Sequence, residues 1–126
     1  MIDLSYAPTE LPQVLDLVSV DSASAELTLQ IQPALVWFQG HFPQTPILPG
    51  VVQLNWVRIV AARLWQEHAH WLSTASQLEA IKFQQVIRPG DTVQLHMQLQ
   101  PDRRRVQFTY FSDAKVFASG RLVAAL

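Results

Sequence analysis

From Val51 to Leu72 the chain reads VVQLNWVRIVAARLWQEHAHWL, without one glycine or proline. The stretch is rich in Leu, Ala, Arg and Gln, residues that lose little side-chain freedom in a helix. It predicts one long helix over 51–72. The first half is apolar on almost every side, which suits a helix wrapped by other structure and not one laid on a surface. The flanking segments are different in kind. In SAELTLQIQ, Ala25, Leu27, Leu29 and Ile31 alternate with Glu26, Thr28, Gln30 and Gln32, the period of a strand with one buried face, and Pro33 ends it. PQVLDLVSVD reads as a strand before it. After the helix come strands over about 77–87, then TVQLHMQLQ, RVQFTYFS and KVFASGRLVAAL. Pro89-Gly90-Asp91, Pro101-Asp102 and Ser112-Asp113 punctuate them. Two strands, one helix and an antiparallel run predict an α+β fold in which one sheet wraps one long central helix.

The 126 residues suffice for a single domain, 1–126, with one core. A net charge of −1 draws the chain neither to nucleic acid nor to an anionic membrane surface. The absence of cysteine removes disulfides, thiolate catalysis and Cys-ligated metals together. Arg58 and Arg63 interrupt the apolar helix, so it does not read as a membrane span. Met1-Ile2-Asp3-Leu4 is not a basic segment leading into an apolar one, so no signal peptide is expected and the cytoplasm is the expected location. No metal site, phosphate-binding loop, dinucleotide fingerprint or nucleophilic Ser–His arrangement stands out, and no cofactor is expected. With 49% apolar and 15% charged residues, part of the surface is expected to be covered, for instance by a second copy of the chain.

Chemistry concentrates in WFQGHFPQTPILPGVVQLNWV, residues 37–57. Pro49 fits the first helical position, where a missing N–H costs nothing. Gly50 next to it leaves its N–H unshielded, at the end of a helix where amides lack partners and the dipole is positive. That N–H is a donor for an oxygen gaining negative charge. His41 lies nine residues upstream in a segment stiffened by Pro43 and Pro46, a backbone able to hold an imidazole as a general base must be held. Asn55 has Val51, Val52, Ile59 and Ala62 as helical neighbours and is expected to face away from solvent. A buried amide without partners costs about 1–3 kcal/mol, so something polar is expected to meet it.

GHFPQTPILPGVV resembles the active-site segment of the hot-dog-fold 3-hydroxyacyl-[acyl-carrier-protein] dehydratases, and KFQQVIRPGDTVQL resembles their strand and Pro-Gly-Asp turn after the central helix. The resemblance covers most of the chain and implies a hot-dog fold. It implies dehydration of 3-hydroxyacyl thioesters on an acyl carrier protein to trans-2-enoyl thioesters, with His41 as base and the Gly50 N–H polarising the thioester carbonyl. Fourteen residues after the histidine the family carries Glu or Asp from the partner subunit; here the position is Asn55. An amide moves no proton, so Asn55 is left to orient the β-hydroxyl. Phe38, Phe42, Pro49, Val51 and Trp56 are the candidates to line the substrate site. The resemblance further implies a homodimer with shared sites, or a higher oligomer built from it, and a His41–Phe42 peptide that departs from trans. The resemblance implies fatty-acid or aryl-polyene-type biosynthesis, and the dehydratase-like subgroup of aryl-polyene pathways comes into view because conjugated chains would best tolerate the missing acid. The alternatives are a non-catalytic acyl-binding or partner subunit of the same fold and, second, a hot-dog thioesterase.

Other residues have plainer readings. His68 and His70 diverge on a helix and make a poor metal pair. His96 falls on the polar phase of its strand, and Arg103-Arg104-Arg105 reads as a solvated hairpin end, with carrier-protein docking the lesser alternative. Aromatics beside a central helix, Trp56 included, belong to a core more often than to a channel.

Overall fold

The computed structural model describes residues 10–38 and 46–125. His41, Phe42 and the peptide bond between them lie outside the described residues. Six strands, β1 (Gln13–Asp21), β2 (Ser24–Gln30), β3 (Gln77–Phe83), β4 (Thr92–Gln100), β5 (Arg105–Ser112) and β6 (Lys115–Val123), form one sheet in the order β1-β2-β4-β5-β6-β3. Every neighbouring pair is antiparallel. Between β2 and β3 the chain forms helix α1 (Gly50–Leu64) and the single turn α2 (Ala69–Leu72). The expected segregation of strands around one helix is what is found.

Alternation decides which face of the sheet meets α1. Leu27, Leu95, Tyr110 and Ala118 stand in register across β2, β4, β5 and β6, and all four are fully buried. The row beside them, Ala25, Met97, Phe108 and Gly120, is buried as well. Glu26 and His96 point the other way, paired across β2 and β4 at 3.9 Å and about two-fifths exposed. Onto the apolar face α1 lays Val52, Leu54, Trp56, Val57, Val60 and Ala61. Glycine at position 120 is needed for a close approach. A Cβ there would come within 2.4 Å of Ile81 Cδ1 and 3.1 Å of Ile81 Cα, where β3 bulges around Ala80 at φ 53°.

The helix is shorter than its composition predicts. Unbroken to Leu72 it would run about 33 Å at 1.5 Å per residue. Instead it turns at Trp65 (φ −115°, ψ 69°), whose indole is buried and donates to the Ser22 carbonyl at 3.1 Å. A one-turn 3-10 piece, Gln66–His68, and α2 then bring Trp71 and Leu72 back into the core. Tertiary burial of the two tryptophans outweighs local helix propensity here. β3 also ends early, at Phe83 and not near residue 87. The next two amides, of Gln84 and Gln85, both donate to the Phe117 carbonyl, and the Ile87 carbonyl is taken by the Leu48 N–H at 2.8 Å. That last bond ties the β3–β4 connection to the segment entering α1.

Candidate active site

Pro49 enters α1 as its N-cap, with extended backbone (φ −61°, ψ 145°), and not as the first helical residue as expected; Gly50 takes that place. The Pro49 carbonyl accepts from Val52 N–H (3.1 Å) and Gln53 N–H (3.2 Å). Among the described residues no side chain caps the helix. The N–H groups of Gly50 and Val51 have no partner among the described residues, so two donors stand at the positive end of a four-turn helix. Phe83, half-exposed on β3, lays its ring against Gly50: a Cβ at position 50 would lie 2.6 Å from Phe83 Cζ. Glycine here leaves room for an aromatic edge beside the donor.

Asn55 is exposed within the single chain, contrary to the expectation that it faces away from solvent. The helical wheel explains the correction. Gln53 shares a face with Trp56, Val57 and Val60, all buried, whereas Asn55 shares the opposite face with Val51, 69% exposed, and the half-buried Ile59 and Ala62. Asn55 opens into a cleft of about 370 Å³ between α1 and α2, with Arg58 and Arg63 on its walls. A larger cleft, about 740 Å³, lies between the β3–β4 connection and the β5–β6 turn; it is edged by Arg88, Asp91, Asp113 and Lys115 and reaches neither Gly50 nor Asn55.

The buried amide is therefore Gln53, which sequence reasoning passed over although the same wheel contains it. It is 3% exposed. Its Nε2 donates to the Leu48 carbonyl at 3.2 Å, and its own backbone carbonyl accepts from the Tyr110 hydroxyl at 2.6 Å. Gln53 Oε1 has no partner among the described residues, a cost of about 1–3 kcal/mol. Complete burial pushes the Tyr110 hydroxyl far above its ordinary range, so it stays a neutral donor.

The remaining candidates divide. Trp56 is in the core, its indole donating at 2.9 Å to the Glu10 carbonyl, which also accepts from Trp37 Nε1 at 2.7 Å. Phe38 is buried in the same core. Pro49 and Val51 flank Gly50, the first half-buried and the second exposed. Gly50, Pro49 and Val51 thus sit together, with Asn55 one turn further along the exposed face of α1. His68 is half-buried, its Nδ1 accepting from Trp71 Nε1 at 3.2 Å; His70 is exposed. Among the described residues no cluster of metal-binding side chains occurs, and no helix is long and apolar enough to cross a membrane.

The sequence profile described as "ApeI-like: ApeI dehydratase" matches residues 18–121. The chain belongs to the ApeI-like dehydratase family. A 3-hydroxyacyl-[acyl-carrier-protein] dehydratase FabZ from Chloroflexus aggregans is 42% identical over 73 residues, 56% of this chain and 51% of that protein. FabZ from Methylobacterium is 32% identical over 93 residues, 69% and 54% of the two chains. The chain spans about half the length of the curated relatives it matches. Among solved structures, the dehydratase heterocomplex ApeI:P from Xenorhabdus doucetiae contains a chain 30% identical, with a TM-score of 0.78, covering 91% of this chain and 98% of that one. An uncharacterised protein from Erwinia carotovora subsp. atroseptica is 35% identical with a TM-score of 0.76, over 91% and 96%. Both neighbours share the antiparallel sheet around a helix, and the hot-dog fold of this ApeI-like chain is established with them.

Proposed function

We propose that this chain dehydrates 3-hydroxyacyl thioesters delivered on an acyl carrier protein, releasing water and leaving the trans-2-enoyl thioester. The observation that carries the reading is the helix entry itself: Gly50 at the first position of α1, its N–H without a partner among the described residues, at the end of GHFPQTPILPG. Membership of the ApeI-like family and the similarity to FabZ dehydratases support it. In this reading the thioester carbonyl accepts from the Gly50 N–H, which stabilises the enolate-like oxygen as His41 removes the α-proton. The imidazolium then returns that proton to the β-hydroxyl; the C–O bond breaks, the double bond forms and water leaves. Asn55 orients the hydroxyl.

Asn55 faces out of its own chain, so it serves a site completed by a second hot-dog chain that brings His41 to it. A second copy is the partner proposed here. The Xenorhabdus doucetiae neighbour belongs to a heterocomplex, so a related chain of the same fold is the variant that the assembly test separates. Absence of the usual carboxylate at Asn55 would lower the rate by about 10²–10⁴-fold. Conjugated 3-hydroxyacyl chains suffer least, because the new double bond extends an existing conjugated system, and acyl chains of the aryl-polyene type are the proposed substrates. The same asparagine favours one competing reading, a non-catalytic acyl-binding subunit. Incubating the protein with 3-hydroxyacyl carrier protein and weighing the product separates them: loss of water supports dehydration, an unchanged mass the binding subunit, and loss of the acyl group a thioesterase.

A further inference from the structure

We infer that Gln53, held from the sheet by Tyr110, is a positioning residue that fixes the direction of the Gly50 N–H; the inference rests on the dehydratase reading of Gly50. The backbone before Gly50 has little freedom left. The Leu48 peptide groups are gripped on both sides, the N–H by the Ile87 carbonyl at 2.8 Å and the C=O by Gln53 Nε2 at 3.2 Å. Pro49 has its φ locked by the ring, so its ψ is the one soft torsion between the Leu48 carbonyl and the Gly50 amide. In a trans peptide the Gly50 N–H points opposite to the Pro49 C=O, and that carbonyl is held by the Val52 and Gln53 amides. Gln53 therefore acts twice, through its backbone N–H on Pro49 and through its side chain on Leu48.

Orientation of the side chain is not ambiguous. Only its NH2 can face a carbonyl oxygen, which leaves Oε1 as the end without a partner among the described residues. A hydrocarbon of similar size would avoid that oxygen but would release Leu48. Tyr110, in the central row of the sheet, fixes the turn that carries Gln53 by donating to its carbonyl at 2.6 Å. The pair thus transfers the rigidity of the sheet to the donor at the helix entry.

The test uses the full chain in its native assembly, with Gln53→Met, Gln53→Glu and Tyr110→Phe. Methionine matches the length of glutamine and cannot donate. It is expected to lower kcat roughly tenfold or more with little change in KM, because donor misplacement is felt in the transition state. The Gly50 amide resonance in a 15N–1H spectrum should move with it. Glutamate provides the rescue: as a neutral acid its O–H can donate to Leu48, and as a carboxylate it cannot. Taken as a ratio to wild type at each pH, kcat of Gln53→Glu should therefore stay near one at low pH and drop on a falling limb at higher pH; Tyr110, which bonds to residue 53, stays neutral throughout. Wild-type kcat in Gln53→Met with an unmoved Gly50 resonance overturns the inference. Should Gln53→Met fail to fold, the Gln53→Glu profile decides, and a profile like that of wild type overturns it. If wild type turns over no substrate, the dehydratase reading fails by itself. A Gly50 amide shift on adding a 3-hydroxyacyl pantetheine thioester, present in wild type and lost in Gln53→Glu at high pH, would then still support the positioning role, and no such difference would overturn it.

Discussion

Tyr110 carries a consequence of burial that can be read without substrate. Its hydroxyl is held above its ordinary value of 10.0 by desolvation, so above about pH 10 the unfolded chain loses a proton that the native chain keeps. Stability contributed by this group is present below that pH and declines as pH rises past it. Equilibrium denaturation in urea should show the midpoint falling above about pH 10, and Tyr110→Phe should flatten that part of the decline. At neutral pH the same substitution removes one hydrogen bond to Gln53 and is expected to cost about 1 kcal/mol. In the proposed mechanism His41 and Asn55 separate by role. His41→Ala should abolish dehydration with the melting temperature unchanged. Asn55→Ala should slow it less, since no proton carrier is lost. Asn55→Glu should raise turnover of saturated 3-hydroxyacyl chains and add a second limb to the pH–rate profile, which a stopped assay across pH would resolve. Full activity in His41→Ala would put the proton chemistry elsewhere.

At the scale of elements, two glycines mark where one element presses on another. Gly120 lets Ile81 cross over β6 at the β3 bulge, with the Ile81 backbone 3.1 Å and the Glu79 carbonyl 3.3 Å from where a Cβ would sit. Backbone cannot swing aside as a side chain can, so Gly120→Ala should destabilise by about 1–3 kcal/mol in chemical denaturation. Gly50 differs: what a Cβ meets there is the far end of the Phe83 ring, which can rotate away. Gly50→Ala should therefore leave the denaturation midpoint nearly unchanged while lowering kcat, because the displaced ring and the new methyl crowd the approach to the amide. A large loss of stability in Gly50→Ala would show that the ring is held more firmly than its half-exposed position implies.

For the whole molecule one side of the sheet bears on assembly. β3 bonds to β6 along one edge, and its other edge is unpaired among the described residues. Leu78 and Phe83 on this strand are each 52% exposed, with Val86 just beyond it and Val51 at the start of α1 exposed as well. An unprotected edge carrying apolar side chains is a surface for strand-to-strand pairing. Light scattering at micromolar concentration is expected to give at least twice the 14.3 kDa chain mass, and Leu78→Lys to shift it toward one. Turnover should fall in parallel, since the proposed site, joining Asn55 to a partner's His41, cannot form in a lone chain. A stable, active monomer would end the shared-site reading.

How much of this was legible beforehand follows from range. Period-two alternation and the glycine- and proline-free run act over a few residues, so β2, β4, β5 and the start of α1 could be placed from the sequence with little error. The tight spacing of His41, Pro49 and Gly50 is equally local, which is why the helix entry is legible as the candidate site. What the chain did not disclose depends on partners distant in sequence. α1 stops at Leu64 because Trp65 finds Ser22 and Trp71 finds the core, contacts no propensity contains. Asn55 and Gln53 are both amides in an apolar run. Only the placement of the sheet against one side of α1, with Tyr110 rising from its centre to meet Gln53, decided that Gln53 would be buried and Asn55 left facing outward.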